Sequence, residues 1–149
     1  MKAQDGAEYK YYMVATDANT TNNYNNTGLH TWGSNDLITW DELANPQFAT
    51  DKGGGSKTIT NMCWAPEAIW DPVAGKYMVY FATNEADSAA NESAKIYYSY
   101  TADFRTFTEK KVLFDRGYGV IDADITPYGN GYVMLYKNCL LYTSPSPRD

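Results

Sequence analysis

The sequence has little of what several classes of protein require. It contains no run of 18 apolar residues, so no membrane-spanning helix is expected. Its 12 Lys and Arg residues form no cluster and are outnumbered by 18 Asp and Glu, which gives a net charge of −6 and argues against nucleic-acid binding. His30 is the only histidine and has no metal-ligating partners nearby in the sequence, so no metal site is expected.

Aromatic side chains are what the sequence has in quantity. The 149 residues include 14 Tyr, 5 Phe and 4 Trp, and hydrophobic residues make up 44% of the chain, enough to support a core. Tyr, Phe and Trp are enriched in β-strands. The composition therefore indicates one ordered domain that is rich in strands.

Residues 139–149 do not resemble the rest of the chain. Pro145 and Pro147 lack the backbone N–H that a helix interior or a central strand needs. The same run corresponds to the translation of a transposon-type sequencing adapter. We therefore divide the chain into a natural domain, residues 1–138, and a non-native tail, residues 139–149. On this interpretation Cys63 is the domain's one cysteine, and no disulfide is expected.

Short motifs recur at an offset of 67 residues. Ala-Thr at 15–16 recurs at 82–83, and Asp-Leu-Ile-Thr-Trp at 36–40 recurs as Asp-Phe-Arg-Thr-Phe at 103–107. Each copy predicts three strands, at 9–16, 28–34 and 40–43 in the first copy and at 77–83, 94–101 and 108–114 in the second. A third copy begins with an aromatic strand at 131–136.

Repeats of short antiparallel strands predict a β-propeller, in which sheets called blades surround a central channel lined by their innermost strands. We therefore predict an all-β fold, a partial β-propeller with about two blades and the first strand of a third. Asp36 and Asp103 open the repeated turns and are expected to hold their conformation.

Two acidic residues stand at matching places before predicted strands. Glu67 lies ten residues before Tyr77, and Asp122 lies ten residues before Tyr132. In a propeller an innermost strand begins here, so acids of successive blades are expected to converge at one mouth of the channel. The 67-residue offset places a further acid just before Met1.

These segments resemble glycoside hydrolase family 43. The resemblance rests on Trp-Ala-Pro-Glu at 64–67, the Ser-Asn-Asp-Leu-Ile-Thr-Trp turn at 34–40 and Val-Ile-Asp-Ala at 120–123, and it covers residues 9–138. It implies a five-bladed propeller that hydrolyses arabinose- or xylose-containing polysaccharides or oligosaccharides with inversion. Asp122 matches the family's Asp that tunes the pKa of the general acid.

The resemblance also implies where the other two catalytic acids lie. The general base is expected before Met1 and the general acid beyond Asn138. Inversion needs two carboxyl groups roughly 6.5–9.5 Å apart, so the isolated chain is expected to be inactive. The parent is expected to be a secreted or periplasmic glycosidase that needs no cofactor, with calcium in the parent left open, and its partner is a carbohydrate.

Three side chains are candidates for binding sugar: Trp64, Glu67 and Trp32. Indole rings stack on sugar faces, and a carboxylate accepts hydrogen bonds from hydroxyl groups. Each has a structural alternative, since the tryptophans can pack between blades and Glu67 can pair with a lysine. Trp70 is expected to pack in the core.

Two other functions fit parts of the sequence. A non-catalytic carbohydrate-binding propeller would keep the aromatic residues and lose the acids, and Asp122 argues against it. A propeller of the levansucrase or invertase type would act on fructose-containing sugars, but the Trp-Ala-Pro-Glu segment fits that group less well.

Overall fold

The computed structural model describes residues 1–18, 21, 26–49, 62–84 and 94–140. Within these residues it contains nine strands and no helix, so no helix capable of spanning a membrane is found there. The all-β prediction is confirmed. The strands are β1 (Tyr11–Thr16), β2 (Leu29–Ser34), β3 (Asp41–Ala44), β4 (Cys63–Asp71), β5 (Lys76–Thr83), β6 (Lys95–Thr101), β7 (Lys111–Phe114), β8 (Val120–Tyr128) and β9 (Gly131–Asn138).

The strands form three antiparallel sheets in which each strand pairs with its neighbour in sequence. Sheet 1 has the order β1-β2-β3, sheet 2 the order β4-β5-β6-β7, and sheet 3 contains β8-β9. Strand β4 contacts both β1 and β8, so sheet 2 lies between the other two. The arrangement is compatible with two neighbouring propeller blades and the inner half of a third.

The inner strands β4 and β8 are where the structure differs from the predicted strands. The sequence predicts that an inner strand begins near Glu67 and another near Asp122, but it does not predict where these strands end. Sheet 3 contains two described strands, whereas the sequence predicts one. Both strands contain a proline, Pro66 and Pro127, which argues against a central strand. Each strand lies at the edge of its sheet, where proline is tolerated.

Strand β5 is buried on both faces and forms the centre of the structure. Its side chains alternate, so that Tyr77, Val79 and Phe81 pack in a cluster with sheet 1, whereas Tyr80 and Ala82 pack in a second cluster with sheet 3. All five are nearly inaccessible to solvent. Two cores therefore share one strand.

The two repeated turns are held by the same hydrogen bonds. The Oδ1 atom of Asp36 accepts from the backbone N–H groups two and three residues later, at 2.8 and 2.7 Å, and Asp103 repeats both bonds at 2.9 Å. Leu37 and Phe104 adopt left-handed φ angles of 66° and 56° beside them. The structural role predicted for Asp36 and Asp103 is confirmed.

The proposed boundary between domain and tail falls at the end of β9. Beyond Asn138, the backbone N–H of Cys139 donates to the carbonyl of Gly119 at 3.0 Å. Residues 141–149 lie outside the described residues, so the assignment of 139–149 as a tail remains a prediction. Cys63 and Cys139 are free thiols.

Replacing Asp103 by alanine is expected to destabilise the fold by about 1 kcal/mol at neutral pH, because two backbone N–H groups lose their acceptor. The carboxylate also makes stability depend on pH. Burial raises the pKa of Asp103, but hydrogen bonds from the backbone of Thr106 and Arg105 outweigh burial and lower that pKa. The unfolded chain then binds more protons, so this stabilisation is present above about pH 4 and is lost as the pH falls.

Thermal unfolding measured from about pH 2.5 to 7 tests this dependence. The Asp103→Asn variant keeps an acceptor for the turn but has no charge, so its stability should fall less in acid than that of the unchanged chain. The control is Glu109→Gln, at an exposed position of the following loop. Equal acid sensitivity in the two variants would contradict the role of the Asp103 carboxylate.

Candidate functional site

The inner strand β4 contains a β-bulge close to its beginning. Trp64 pairs with Ala82, and Glu67 pairs with Tyr80, so two residues of β4 oppose one residue of β5. The first bulge residue, Ala65, has a left-handed φ of 45°. Bulges of this kind bend a strand and redirect the side chains that follow.

The inner strand β8 repeats this bulge in sheet 3. Ile121 pairs with Lys137, and Asp124 pairs with Leu135. The first bulge residue is Asp122, with a φ of 53°. Aspartate adopts this conformation more readily than most residues do, because its short polar side chain can hydrogen-bond locally.

Aligning the two bulges corrects the equivalence expected from sequence spacing. Asp122 corresponds to Ala65, and the residue that corresponds to Glu67 is Asp124. The spacing fails because the two hairpins differ in length: the β4–β5 turn has four residues between Asp71 and Lys76, whereas the β8–β9 turn has two between Tyr128 and Gly131. The same strand register therefore presents Glu67 in sheet 2 and Asp124 in sheet 3.

Glu67 is exposed and lies at the edge of a cleft between sheets 1 and 2, while its cross-strand partner Tyr80 packs towards sheet 3. The cleft has a volume of about 310 Å³. Besides Glu67, its lining residues are apolar or aromatic: Met1, Tyr12, Met13, Val14, Trp40, Pro66, Ala68 and Phe104. A partly apolar cleft with one hydrogen-bond acceptor suits a sugar ring, which has both C–H faces and hydroxyl groups.

Asp122 and Asp124 are both exposed on β8. The Thr126 hydroxyl lies 3.5 Å from the Oδ2 atom of Asp124. Among the described residues, Asp122 has no hydrogen bond or ion pair through its carboxylate. Burial is the larger cause of the raised pKa of the nearby Cys139 thiol, and the charge of the Asp122 carboxylate raises that pKa further.

Tyr80, on β5, joins sheet 2 to the inner strand β8. It is buried at 2% exposure, and its hydroxyl accepts a hydrogen bond of 2.9 Å from the backbone N–H of Ile125 on β8. Burial raises the pKa of Tyr80, the Ile125 bond lowers it, and the negative charges of Glu67 and Asp124 raise it further. The phenol therefore lies within the field of both carboxylates and stays protonated at neutral pH.

The predicted aromatic residues occupy different parts of the structure. Trp64 is half-buried beside the core between sheets 2 and 3. Trp32 lies on β2 and stacks on His30, with ring centroids 5.4 Å apart, and it is not part of the Glu67 cleft. Trp70 packs edge-on against Tyr77 at 5.0 Å, so its predicted core role is confirmed.

A polar network fixes the beginning of β4. Thr16 donates to the carbonyl of Cys63 at 2.7 Å, and the N–H of Cys63 donates to the side chain of Asn26 at 3.1 Å. Asn26 also donates to Asp17 at 2.8 Å. Burial would raise the pKa of Asp17, but hydrogen bonds from Asn26 and Gln47 hold it below its ordinary value.

Metal-ligating side chains are dispersed in the described part of the chain. No group of three or more His, Cys, Asp or Glu side chains there lies close enough together to hold a metal ion. The nitrogen Nδ1 of His30 instead lies 3.1 Å from Glu42 on the neighbouring strand.

Sequence reasoning missed Tyr80 and the equivalence of Asp124 with Glu67. The alternation of β5 carried a signal for Tyr80, because even-numbered residues of that strand face sheet 3. Nothing in the sequence signals a bulge at Ala65, since alanine has no preference for a left-handed conformation.

Comparison with known proteins gives two matches. Residues 1–140 match a family described as "Probable glycosyl hydrolase domain", a group related to glycoside hydrolase family 43. The chain is also 30% identical to an alpha-L-arabinofuranosidase from Bifidobacterium longum subsp. longum, over 87% of the chain and 14% of that relative. No solved structure is significantly similar. The chain thus spans a small part of the relative that it matches.

Replacing Tyr80 by phenylalanine is expected to lower the free energy of unfolding by roughly 1–2 kcal/mol, because the Ile125 N–H loses its acceptor beside the core. The measurement is chemical denaturation of the full chain. Tyr132→Phe is the matched control, since Tyr132 lies on β9 at 56% exposure and should lose little. Equal stability of the two variants would show that the Tyr80 bond does not hold β8 in place.

Proposed function

The chain belongs to the glycosyl hydrolase domains related to glycoside hydrolase family 43, and from this we propose that it is part of an inverting glycosidase. The substrates are arabinose- or xylose-containing polysaccharides or oligosaccharides. The name of the matched relative, an alpha-L-arabinofuranosidase, supports the arabinose-containing class. The activity is proposed for the longer protein, because the chain matches 14% of that relative.

The observation that carries this proposal is the repeated bulge of the inner strands. It puts an acid at the same register of two neighbouring sheets, Glu67 and Asp124, and adds Asp122 at the bulge of the second. Exposed carboxylates on adjacent inner strands suit the polyhydroxylated face of a sugar. They also suit chemistry in which carboxyl groups transfer protons.

The role proposed for Asp122 is to tune a general acid. In an inverting glycosidase one carboxylic acid protonates the leaving oxygen while a carboxylate activates water on the opposite face of the sugar. A nearby negative charge raises the pKa of the acid by like-charge repulsion and keeps it protonated at the working pH. Asp122 is exposed and suits this role without contacting the reacting atoms.

Trp64, Glu67 and Trp32 are proposed to bind the sugar. The exposed Glu67 carboxylate accepts hydrogen bonds from sugar hydroxyl groups, and Trp64, on the same strand, offers part of its indole face. Trp32 is half-buried on a different sheet, so it would contact a more distant unit of the glycan. The reaction needs no cofactor.

The test of the Asp122 role uses the longer protein with aryl arabinofuranoside and aryl xyloside substrates. Asp122→Asn is expected to lower kcat by about 10²-fold or more, because the general acid is then less often protonated. The alkaline limb of the pH profile should move to lower pH, since removing the negative charge lowers the pKa of the acid. Asparagine tolerates a left-handed φ, so the bulge is retained.

Two further measurements distinguish a tuning role of Asp122 from a structural role. Asp124→Asn, on the same strand, should alter substrate affinity and leave the alkaline limb unmoved. By the resemblance, Asp122 is the one catalytic acid among these 149 residues, so the chain by itself is expected to give no turnover. Turnover by the isolated chain that Asp122→Asn abolishes, or an unshifted pH profile in the longer protein, would contradict these assignments.

A further inference from the structure

Four side chains around the segment between β7 and β8 form what we call the Arg116 cluster: Phe114, Arg116, Tyr118 and Tyr136. The guanidinium carbon of Arg116 lies 5.8 Å from the centre of the Phe114 ring. The Phe114 and Tyr136 ring centroids are 5.0 Å apart, and the hydroxyl oxygens of Tyr118 and Tyr136 are 3.4 Å apart. One cation, two hydroxyl groups and aromatic faces are thus brought together.

Arg116 is exposed, and no carboxylate neutralises it among the described residues. The ion pairs recorded there join His30 to Glu42, Lys95 to Asp115 and Arg105 to Glu8. The hydrogen bond that the guanidinium donates to Tyr118, and a weaker one to Tyr136, raise the pKa of Arg116. The cation is oriented by aromatic groups and remains open to an anionic partner.

The nearest acid in the sequence is engaged elsewhere. Asp115 accepts a hydrogen bond of 2.8 Å from the backbone N–H of Gly117 through one oxygen. Its other oxygen lies 3.1 Å from the Lys95 ammonium group. Asp115 therefore orders the segment that carries Arg116 without forming an ion pair with it.

The cluster adjoins the inner strand that carries the candidate acids. The segment holding Arg116 and Tyr118 leads directly into β8. Tyr136 lies on β9 between Leu135 and Lys137, whose partners are Asp124 and Ile121, so it is opposite the bulge that contains Asp122. The cluster and the candidate acids thus belong to the same pair of strands and the segment that leads into it.

We propose that Arg116, Tyr118 and Tyr136 form a subsite for the carboxylate of a uronic-acid substituent on the glycan. The proposal rests on the proposed function. A guanidinium group presents paired N–H donors that match the two oxygens of a carboxylate, and the one phenol O–H that is not used between Tyr118 and Tyr136 supplies a further donor. The aromatic rings offer C–H stacking to the sugar.

The net charge of the chain makes a local cation necessary for such a ligand. At −6, the protein as a whole repels an acidic glycan. An unpaired arginine counteracts that repulsion only at the place where it lies, since charges in solution are screened within about 8–10 Å. The subsite would therefore favour glycans whose acidic substituent lies next to Arg116 over glycans that carry the same charge elsewhere.

The test compares two ligands on the full chain by calorimetry or NMR titration. One is xylotetraose that carries a single glucuronic-acid substituent, and the other is unsubstituted xylotetraose. The acidic ligand is expected to bind about fivefold more tightly, in line with one exposed charge pair. Arg116→Gln should abolish that difference and leave the affinity for unsubstituted xylotetraose unchanged.

Further variants and ligands separate the possible outcomes. Arg116→Lys keeps the charge but not the paired donors, so it should reduce the preference, whereas Arg105→Gln, a guanidinium paired with Glu8, should retain it. Equal binding of both ligands, or free glucuronate binding as tightly as the acidic oligosaccharide, overturns the subsite and leaves the proposed function standing. Failure of both oligosaccharides to bind overturns the subsite and counts against the xylose-containing substrates, while the arabinose-containing substrates are tested separately by turnover of aryl arabinofuranoside.

Discussion

The alternation of side chains along β5 is the constraint on which the rest of the structure depends. Tyr77, Val79 and Phe81 belong to the core with sheet 1, while Tyr80 and Ala82 belong to the core with sheet 3. A shift of one residue in pairing would exchange the two sets and leave neither core filled. Strands β4 and β8 both pack against β5 or its sheet. The packing of β5 therefore determines how far apart these two inner strands lie.

The two interfaces of sheet 2 use different polar contacts, although the strands repeat. At the first interface Thr16 bonds to Cys63. Thr83 stands 67 residues after Thr16, at the equivalent position of sheet 2. Its buried Oγ1 atom has no hydrogen-bond partner among the described residues. Sheet 3 is joined instead by the bond from the N–H of Val120 to the carbonyl of Ala94 and by the Tyr80–Ile125 bond. The sequence repeat thus determines the strand pairing within each sheet, whereas contacts that differ between the copies join neighbouring sheets.

The sequence predicts best what is decided within a few residues. The turns at Asp36 and Asp103 were predictable because the carboxylate bonds to backbone only two and three residues away. The full length of β4 and β8 was not, since their prolines are acceptable only at a sheet edge, which is a tertiary property. The Arg116 cluster was also beyond reach, because Tyr136 joins it from a different strand.

The bulge at Ala65 shows that the site geometry is imposed by strand pairing. A left-handed conformation costs an L-residue roughly 1–2 kcal/mol, and alanine has no polar side chain to offset that cost. The conformation must therefore be held by the pairs on either side of it, Trp64 with Ala82 and Glu67 with Tyr80. At Asp122 the same pairing meets a residue that accepts the conformation readily. Since the bulge at Ala65 forms without an aspartate, strand pairing is sufficient for this conformation, and no part of the fold that is described depends on a hydrogen bond to the Asp122 carboxylate.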